Sequence, residues 1–260
     1  MRYLNLVRNV RNWPSYLTFK MGINTKDPVF FNLRQGSLRL KMIPSMKPLF
    51  REIFLKEVYG PALKSTNGGK PLIIDVGGNM GYFAMYSFLK KPGARVFSFE
   101  PVPENFKHLQ KHKEAHPNLD WSLFNTAVSD KEGAFDFYYN DGHSPEGVDV
   151  SASLFPSDRI FTVHGNHKKI TVPVIDLKKW MGENNISHCD ILKLDCEGAE
   201  YSILYSIPDE YFPSIRYIVA DVHRMSGEDE NIESLASFLK EKGYWVKTVN
   251  SEILYAGYNA

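Results

Sequence analysis

Apolar residues follow two patterns along the chain, and the change between them falls near residue 70. From Pro71 onward, short uninterrupted apolar runs alternate with stretches in which apolar residues recur at helical spacing. Uninterrupted runs fit strands buried on both faces, as in a parallel sheet flanked by helices. The pattern therefore predicts an α/β domain over residues 70–260. Its predicted strands are 72–76, 95–99, 121–128, 134–139, 170–175, 191–194, 215–220 and a closing antiparallel pair, 244–249 with 252–256. Its predicted helices are 82–90, 104–115, 176–181, 199–206 and 228–242.

Residues 1–69 show a different pattern and are predicted to form an extension that packs on this domain. Residues 1–20 fit a short amphipathic helix interrupted by Pro14, and alternation on either side of Gly36 predicts an antiparallel hairpin over residues 29–43. A helical face follows over residues 49–59. We expect this extension to cap the ligand end of the sheet. Its basic first segment fits a docking helix, a dimer contact or a membrane-surface helix, although such a pattern is more often the solvated face of a packed helix.

Residues 140–169 have weak periodicity and contain several Gly, Pro and Ser residues. A long irregular segment inside a compact domain usually carries a function or lacks a fixed fold. We predict that this segment forms a lid over the substrate, with Ser151 and Ser153 facing it.

Composition and charge disfavour several classes of protein. Of 260 residues, 43% are apolar and 23% are charged, and the net charge of +1 gives no support for nucleic-acid binding. No apolar run approaches the ~20 residues that a membrane-spanning helix needs. The first residues also lack the apolar core and cleavage site of a signal peptide, so we expect a cytoplasmic protein. Cys189 and Cys196 are the only cysteines and fit buried reduced thiols.

A glycine-rich turn follows the first predicted strand of the domain, in the stretch IIDVGGNMGYF. Gly77, Gly78 and Gly81, together with Asn79, allow positive φ angles and a close approach of the backbone to a ligand. A strand, such a turn and a helix point backbone N–H groups at an anionic or polar group. The dinucleotide pattern requires glycine at the first, third and sixth places. Asn79 and Tyr82 occupy the last two of these, which disfavours a nicotinamide cofactor.

Acidic residues follow three further apolar runs. Glu100 ends the second predicted strand, about 20 residues past the turn, where an acid accepts hydrogen bonds from ribose hydroxyls. Asp195 ends a later run, and Asp221 and His223 follow the next one. The carboxyl ends of strands in an open α/β sheet meet at a ligand-binding crevice, so these groups are candidate site residues. Asp195, Asp221 and His223 could instead hold a divalent cation, for which oxygen ligands favour Mg²⁺ or Mn²⁺.

Three histidines, His108, His112 and His116, recur every four residues on the predicted helix 104–115. Such a stripe invites a metal-binding interpretation, but no carboxylate or cysteine shares that face. We therefore expect the stripe to be a solvated face of the helix.

Taken together, these stretches resemble the FkbM family of S-adenosylmethionine-dependent methyltransferases. The resemblance rests on IIDVGGNMGYF, VFSFEPVPENF, NTAVSDKEG, VPVIDL and ILKLDCEGAEYSIL, whose order and spacing are specific. Two positions depart from the family pattern, since Gly78 stands where Ala is usual and Asp221 where Glu is expected before the Val-His pair. The resemblance implies a Rossmann-like, seven-stranded, mostly parallel sheet with helices on both faces and an antiparallel last strand.

The positions of the candidate residues at the turn and at the strand ends also indicate individual roles. Asp195 is the first candidate for the catalytic base, and His223 is the second, since an imidazole titrates near working pH. Glu197 and Asp221 are candidates for substrate contact. The candidates for binding S-adenosylmethionine are Asp75, Gly77, Gly78, Asn79, Gly81, Tyr82, Phe83, Glu100, Pro101, Asn105, Thr126, Ala127, Val128 and Asp195.

The implied activity is methyl transfer, mostly to oxygen, and we expect the acceptor to be a hydroxyl of a sugar, a glycan or another small polyol. Transfer from a sulfonium depends mainly on alignment, whereas a hydroxyl acceptor also benefits from a base or a metal. Of these two mechanisms, activation of the hydroxyl by a divalent cation is less favoured than activation by a base. The alternative functions are a nicotinamide-dependent oxidoreductase and a non-catalytic S-adenosylmethionine-binding module. The protein partner that we consider is a second copy of the chain, in a homodimer.

Overall fold

The computed structural model describes residues 2–24, 26, 28–66, 68–140 and 167–259. In these ranges no helix is both long and apolar enough to span a membrane. The strands are β1 (Val29–Asn32), β2 (Arg39–Met42), β3 (Leu72–Val76), β4 (Arg95–Phe99), β5 (Asp120–Phe124), β6 (Ala127–Ser129), β7 (Gly133–Asn140), β8 (His167–Asp176), β9 (Ile191–Leu194), β10 (Tyr217–Asp221), β11 (Tyr244–Val249) and β12 (Ile253–Tyr258). The α helices are α1 (Arg2–Asn9), α2 (Trp13–Lys20), α3 (Lys47–Phe50), α4 (Gly60–Ser65), α5 (Tyr82–Lys90), α6 (Pro103–Ala115), α7 (Leu177–Glu183), α8 (Glu200–Ser206) and α9 (Ile232–Glu241).

Seven of these strands form one sheet. Across it they follow the order β11, β12, β10, β9, β3, β4, β5. Neighbouring strands from β10 to β5 pair in parallel, whereas β12 is antiparallel to both β10 and β11. The predicted fold class, a mostly parallel seven-stranded sheet with an antiparallel last strand, is therefore confirmed.

Helices cover both faces of this sheet, which explains why its strands show no polar alternation. Along β3, Leu72 and Ile74 belong to one apolar cluster and Ile73 to the other. Residues of α5 share the cluster of Ile73, while α7, α8 and α9 contribute to the opposite one. A strand buried on both sides needs apolar side chains at successive positions, and this is the pattern that the sequence shows.

The N-terminal elements are two short helices and a hairpin. Pro14 lies in the first turn of α2, where its missing N–H costs no hydrogen bond, so it begins a second helix. Strands β1 and β2 pair antiparallel with Val29 opposite Met42, as predicted. The helix predicted over residues 49–59 is instead α3 followed by a π-helical turn, Arg51–Lys56, which ends where Glu57 adopts a φ of 56°.

Aromatic side chains join these N-terminal elements to the sheet. The rings of Phe31, Phe50 and Phe54 follow one another with centroid distances of 5.0 and 4.9 Å. Phe54 then meets the edge of Tyr86 in α5, at 5.5 Å. All four side chains lie in the same apolar cluster as Ile73 of β3. The N-terminal residues thus extend the packing on one face of the sheet.

The histidine stripe of α6 is buried, so the prediction of a solvated face is wrong. His108, His112 and His116 are 8%, 3% and 8% exposed. Nε2 of His112 accepts a hydrogen bond from the backbone N–H of Lys41, and Nε2 of His116 accepts one from Arg39, both at 2.9 Å. The two histidines are four residues apart on a helix, a rise of about 6 Å, and the two N–H groups are two residues apart on a strand, a rise of about 6.8 Å. The spacing of the acceptors therefore matches that of the donors. Helix α6 therefore binds the edge of β2.

The single strand predicted over residues 121–128 is also wrong, because the chain leaves the main sheet after β5. The side chain of Asn125 donates to the backbone oxygens of Glu100 (2.8 Å) and Pro101 (3.1 Å). Thr126 then donates its hydroxyl proton to the carbonyl of Pro173, at 2.7 Å. These bonds turn the chain into β6, which pairs with β8 in a separate three-stranded sheet completed by β7.

The predicted lid overlaps this smaller sheet at both ends. Residue 140 ends β7, and residues 167–169 begin β8. Ser151 and Ser153, the predicted substrate contacts, lie outside the described residues.

Candidate functional site

A cavity of about 230 Å³ lies at the carboxyl ends of β3, β4, β9 and β10. This is the place where open α/β sheets bind ligands. Of the described residues, Asp75 and Gly81 are the two predicted site residues that do not line it. The predicted residues that line it are Gly77, Gly78, Asn79, Tyr82, Phe83, Glu100, Pro101, Asn105, Thr126, Ala127, Val128, Asp195, Glu197, Asp221 and His223.

The glycine-rich turn lies directly against the end of β9. Gly77 has a φ of +77°, and a Cβ atom added to it would lie 1.8 Å from the backbone oxygen of Asp195. Only glycine permits this contact, since that distance is far inside van der Waals contact. Asn79 has a φ of 47°, and its backbone N–H donates to Oε2 of Glu100 at 2.7 Å. The turn is therefore fixed to both neighbouring strands.

Glu100 presents a buried carboxylate to the cavity. Besides Asn79, its donors are the backbone N–H of Val102 (2.9 Å) and the side chain of Asn105 (3.3 Å), both to Oε1. Burial raises the pKa of Glu100 to about 7, although these hydrogen bonds oppose the shift. The carboxylate is only 4% exposed, so further hydroxyl donors from a ligand would offset the cost of burying its charge.

Lys193 is a site residue that the sequence prediction does not include. Its Nζ donates to the backbone oxygens of Val76 (3.1 Å) and Gly77 (2.6 Å), and it lies 3.2 Å from Oδ1 of Asp75 and 3.5 Å from Oδ2 of Asp195. Burial alone would lower the pKa of Lys193, but the charges of Asp75 and Asp195 raise it above its ordinary value. A lysine inside the apolar run ILKL is the sequence signal for this role.

Asp75 lies behind the cavity wall and is fully buried. Its Oδ2 accepts a hydrogen bond from Ser98 Oγ at 2.8 Å. Its Oδ1 accepts no hydrogen bond from the described residues, so Lys193 compensates that oxygen by charge. Asp75 thus supports the turn from beneath it.

Asp195 directly follows β9 and is contacted from the N-terminal part of the chain. The hydroxyl of Tyr59 lies 3.5 Å from Oδ2 of Asp195, the same oxygen that Lys193 approaches. Tyr59 is 1% exposed and packs edge-on against Phe83 at 4.8 Å. Burial raises the pKa of Tyr59 well above its ordinary value, so its hydroxyl remains a donor. Glu52 of the π-helical turn also lines this end of the cavity.

His223 lies between two glutamates. Its Nδ1 is 3.2 Å from Oε1 of Glu200, and its Nε2 is 3.4 Å from Oε2 of Glu197. Glu200 is fully buried and also accepts hydrogen bonds from the backbone N–H groups of Cys196 and Gly198. Burial alone would lower the pKa of His223, but the hydrogen bond and charge of Glu200 and the charge of Glu197 raise it to about 10. His223 is therefore an imidazolium at neutral pH.

Asp221 ends β10 and completes this acidic end of the cavity. One ligand atom each from Asp195, Asp221 and His223 lie within 4.8 Å of one another, so the three residues can surround one cation. Burial, followed by the charge of Asp195, raises the pKa of Asp221 to about 7. Burial raises the pKa of Glu197 to about 7 as well.

The opposite end of the cavity is largely apolar. It is lined by Phe99, Pro101, residues 126–128 and Phe137. Phe137 comes from β7, and its place in the cavity depends on the small second sheet, which the sequence pattern did not predict. The cavity thus runs from an apolar end, past Glu100 and the glycine-rich turn, to an end rich in carboxylates.

Fold and cavity together define a class of protein. A mostly parallel sheet with an antiparallel last strand places a glycine-rich turn and a cavity-facing acid at the ends of adjacent strands, where α/β proteins bind an adenosyl ribose. These are the features of an S-adenosylmethionine-dependent methyltransferase. The chain belongs to the FkbM methyltransferase family, because the profile described as "Methyltransferase FkbM domain" matches residues 75–246.

Curated relatives and solved structures that are similar to this chain include the following three. The chain is 27% identical over 238 residues to 31-O-demethyl-FK506 methyltransferase FkbM of Streptomyces tacrolimicus, covering 80% of this chain and 85% of the relative. It is 29% identical over 139 residues to 2-O-methyltransferase NoeI of Sinorhizobium fredii, covering 52% of this chain and 56% of the relative. The structure of magnesium protoporphyrin IX methyltransferase (ChlM) from Synechocystis PCC 6803 with bound SAM aligns with a TM-score of 0.41 at 11% identity, covering 84% of this chain and 86% of that chain.

Proposed function

We propose that this methyltransferase acts on a hydroxyl group of a sugar, a glycan or another small polyol. The observation that carries the proposal is Asp195, a carboxylate that enters the cavity beside the glycine-rich turn. A hydroxyl has a high pKa and gains from a base within hydrogen-bond reach, which suits a carboxylate in that place. The names of two relatives support oxygen as the acceptor atom, since one is a 31-O-demethyl-FK506 methyltransferase and the other a 2-O-methyltransferase.

The cavity residues fit S-adenosylmethionine, which family membership implies as the cofactor. Glu100 is buried beside the turn and would accept hydrogen bonds from the ribose hydroxyls. Residues 126–128 and Phe137 would enclose the adenine, and the glycine-rich turn would meet the methionine part. When bound, the cofactor supplies an electrophilic methyl group on a sulfonium.

Asp195 is the proposed base, and two neighbours position it. Lys193 Nζ and the Tyr59 hydroxyl both approach Oδ2, each at 3.5 Å. We therefore assign Oδ1 to the acceptor hydroxyl, whose proton it would take as the methyl group is transferred. Lys193 and Tyr59 act through Asp195 and are positioning residues in this proposal.

His223, the second candidate for the base, enters the proposal as a cation. Its pKa of about 10 leaves little neutral imidazole to accept a proton at neutral pH. We propose that it holds Glu197 and Glu200 in place by charge. Glu197 and Asp221 titrate near neutrality and would hydrogen-bond other hydroxyls of the acceptor.

A metal-assisted version of this reaction would use Asp195, Asp221 and His223 as ligands. Carboxylate ligands suit both Mg²⁺ and Mn²⁺, and a site that adds an imidazole suits Mn²⁺. Both nitrogens of His223 face carboxylates, so a cation would have to replace the contact with Glu197. We therefore favour the metal-independent version. Dialysis against EDTA distinguishes them, because a loss of transfer that Mg²⁺ or Mn²⁺ restores would establish the metal.

The acceptor class is tested by incubating the enzyme with methyl-labelled S-adenosylmethionine and pools of sugars, glycans and other polyols. Mass spectrometry then locates the transferred label. We expect label on oxygen with the wild-type chain and little label with Asp195→Asn, which should still bind S-adenosylhomocysteine. Label on nitrogen or carbon would contradict the proposal, and so would full transfer by Asp195→Asn.

A further inference from the structure

The net charge of +1 conceals a strong division of charge along the chain. Residues 1–56 contain 11 Lys and Arg against 2 acids, a balance of +9. Residues 57–260 contain 20 Lys and Arg against 28 acids, a balance of −8. The first 26 residues include five basic residues and no acid. A charge separation of this size favours contact between the N-terminal part and an anionic surface.

The most exposed large apolar side chains lie in the same part of the molecule. Among the described residues, Ile23 (69%), Met21 (64%) and Leu4 (52%) are the most exposed of this kind. Tyr3 is 40% exposed. Single exposed apolar residues are ordinary, but a group beside basic side chains marks a candidate interaction surface.

The start of α1 meets the end of α2 through contacts of Tyr3. Lys20 Nζ donates to the hydroxyl of Tyr3 at 2.8 Å and lies 5.5 Å from the centre of its ring. The guanidinium of Arg2 lies 5.3 Å from the same centre. Met21 follows Lys20 directly in the chain. We name this surface the N-terminal tip, formed by Arg2, Tyr3, Leu4, Lys20, Met21 and Ile23.

The opposite face of α1 anchors the N-terminal tip to the rest of the molecule. Leu6 and Val10 are buried, and the buried side chain of Asn9 donates to the backbone oxygen of Phe54 at 2.7 Å. Asn5 donates to the backbone oxygen of Leu55 at 3.0 Å. With this face fixed, Leu4 of α1 remains exposed, as do Met21 and Ile23 after α2.

We propose that the N-terminal tip docks on the surface of an anionic lipid bilayer. Leu4, Met21 and Ile23 would enter the interface, while Arg2 and Lys20 would face the lipid head groups. Basic residues beside exposed aliphatic ones are typical of surfaces that lie on membranes. Sites for single-stranded nucleic acid rely instead on stacking aromatic rings, and the three most exposed large apolar side chains here, Ile23, Met21 and Leu4, are not aromatic.

The test is co-sedimentation of the full chain with two kinds of vesicle, one of phosphatidylcholine alone and one that also contains phosphatidylglycerol. We expect binding to the anionic vesicles only, and a fall of about tenfold or more at high salt. A variant with Leu4→Ser, Met21→Ser and Ile23→Ser should bind at least about tenfold more weakly. The control carries Phe135→Ser and Trp245→Ser, two exposed residues elsewhere (39% and 42%), and should bind like the wild type.

The same variants separate this proposal from its competitors. Equal binding of the triple variant and the wild type, or no binding to anionic vesicles, would overturn it. A dimer of the wild type that the triple variant loses in size-exclusion chromatography would identify a second copy as the partner and would also overturn it. Thermal unfolding of each variant, with and without S-adenosylhomocysteine, verifies that the fold is intact. The outcome does not depend on which acceptor the enzyme methylates.

Discussion

At the scale of single residues, Lys193 connects four parts of the site, although it is not among the predicted site residues. One ammonium group contacts the end of β3, the glycine-rich turn, the buried Asp75 and the cavity-facing Asp195. Charged side chains are rarely buried unless they are paired. The pairing of Lys193 with Asp75, which lie opposite each other in adjacent strands, is what allows both to be buried.

We expect Lys193→Met to lower the free energy of unfolding by about 3–5 kcal/mol, because it leaves the carboxylate of Asp75 buried without a counter-charge. Urea denaturation followed by circular dichroism measures the change. The double variant Lys193→Met/Asp75→Asn removes both charges and should recover part of the loss. A single-variant loss below about 1 kcal/mol would show that the ion pair is not needed.

We expect Glu100→Gln to weaken S-adenosylhomocysteine binding by about tenfold to a hundredfold, since hydrogen bonds to a charged group contribute about 1.5–3 kcal/mol each. Isothermal titration calorimetry measures the affinity. Glu104→Gln is the matched control, because the side chain of Glu104 is 41% exposed, pairs with Lys107 at 2.6 Å and does not line the cavity. Its affinity should equal that of the wild type. Unchanged affinity of Glu100→Gln would remove the ribose-binding role.

Most of the candidate site could be predicted because its residues follow short apolar runs in fixed local motifs. Glu100 and Asp195 are examples, since each directly follows a strand of the parallel sheet, and the carboxyl ends of such strands meet at one edge. The contact between Tyr59 and Asp195 could not be predicted in this way, because the two residues lie far apart in the sequence. The motif-based roles of the cavity residues remain predictions until ligand binding is measured.

At the scale of elements, α6 holds both the hairpin and the glycine-rich turn through His112. Its Nε2 accepts from the backbone N–H of Lys41, and its Nδ1 lies 2.7 Å from the backbone oxygen of Met80. A neutral imidazole satisfies both contacts when its proton is on Nδ1. One histidine therefore links the N-terminal elements to the wall of the cavity.

We expect this link to weaken as the pH falls. Burial lowers the pKa of His112 to about 4, whereas an unfolded chain binds the proton near pH ~6.5. The stabilising contribution of neutral His112 is therefore fully present above pH ~6.5 and is lost as the pH falls towards 4, by about 3 kcal/mol in total.

Urea unfolding between about pH 7 and about pH 4.5 measures this loss. The variant His112→Gln keeps a donor and an acceptor but does not titrate, so it should lose less stability than the wild type over this range. Equal losses in both proteins would contradict the role of His112.

Element boundaries could be predicted where the apolar pattern changes, and not where side chains bind the backbone. Helix α9 begins at Ile232 and not at 228, because Asn231 caps it by accepting a hydrogen bond from the backbone N–H of Ser234. Similarly, the hydrogen bond from the side chain of Asn125 to the backbone oxygen of Glu100 turns the chain away after β5, although the apolar run continues past Asn125. Hydropathy does not encode either bond.

At the scale of the whole molecule, the order of apolar runs predicted the alternation of strands and helices, and the resemblance to the FkbM family predicted the seven-stranded sheet with its antiparallel last strand. Parallel strands joined by helices permit few topologies, so the sequence of elements determines most of the fold. The place of the N-terminal residues was harder to predict, because their contacts to α5 and α6 lie far away in sequence. The division into an extension, 1–69, and a methyltransferase domain, 70–260, remains our proposal, and Glu52 and Tyr59 show that both parts line the cavity.

The central claim is that one cavity holds the cofactor at Glu100 and the acceptor at Asp195. A crystal structure of the complex with S-adenosylhomocysteine tests it most directly. We expect ribose hydroxyls within hydrogen-bond distance of Glu100, adenine beside residues 126–128, and the sulfur at the Asp195 end. Density outside this cavity, or an adenine placed against Asp195, would contradict it.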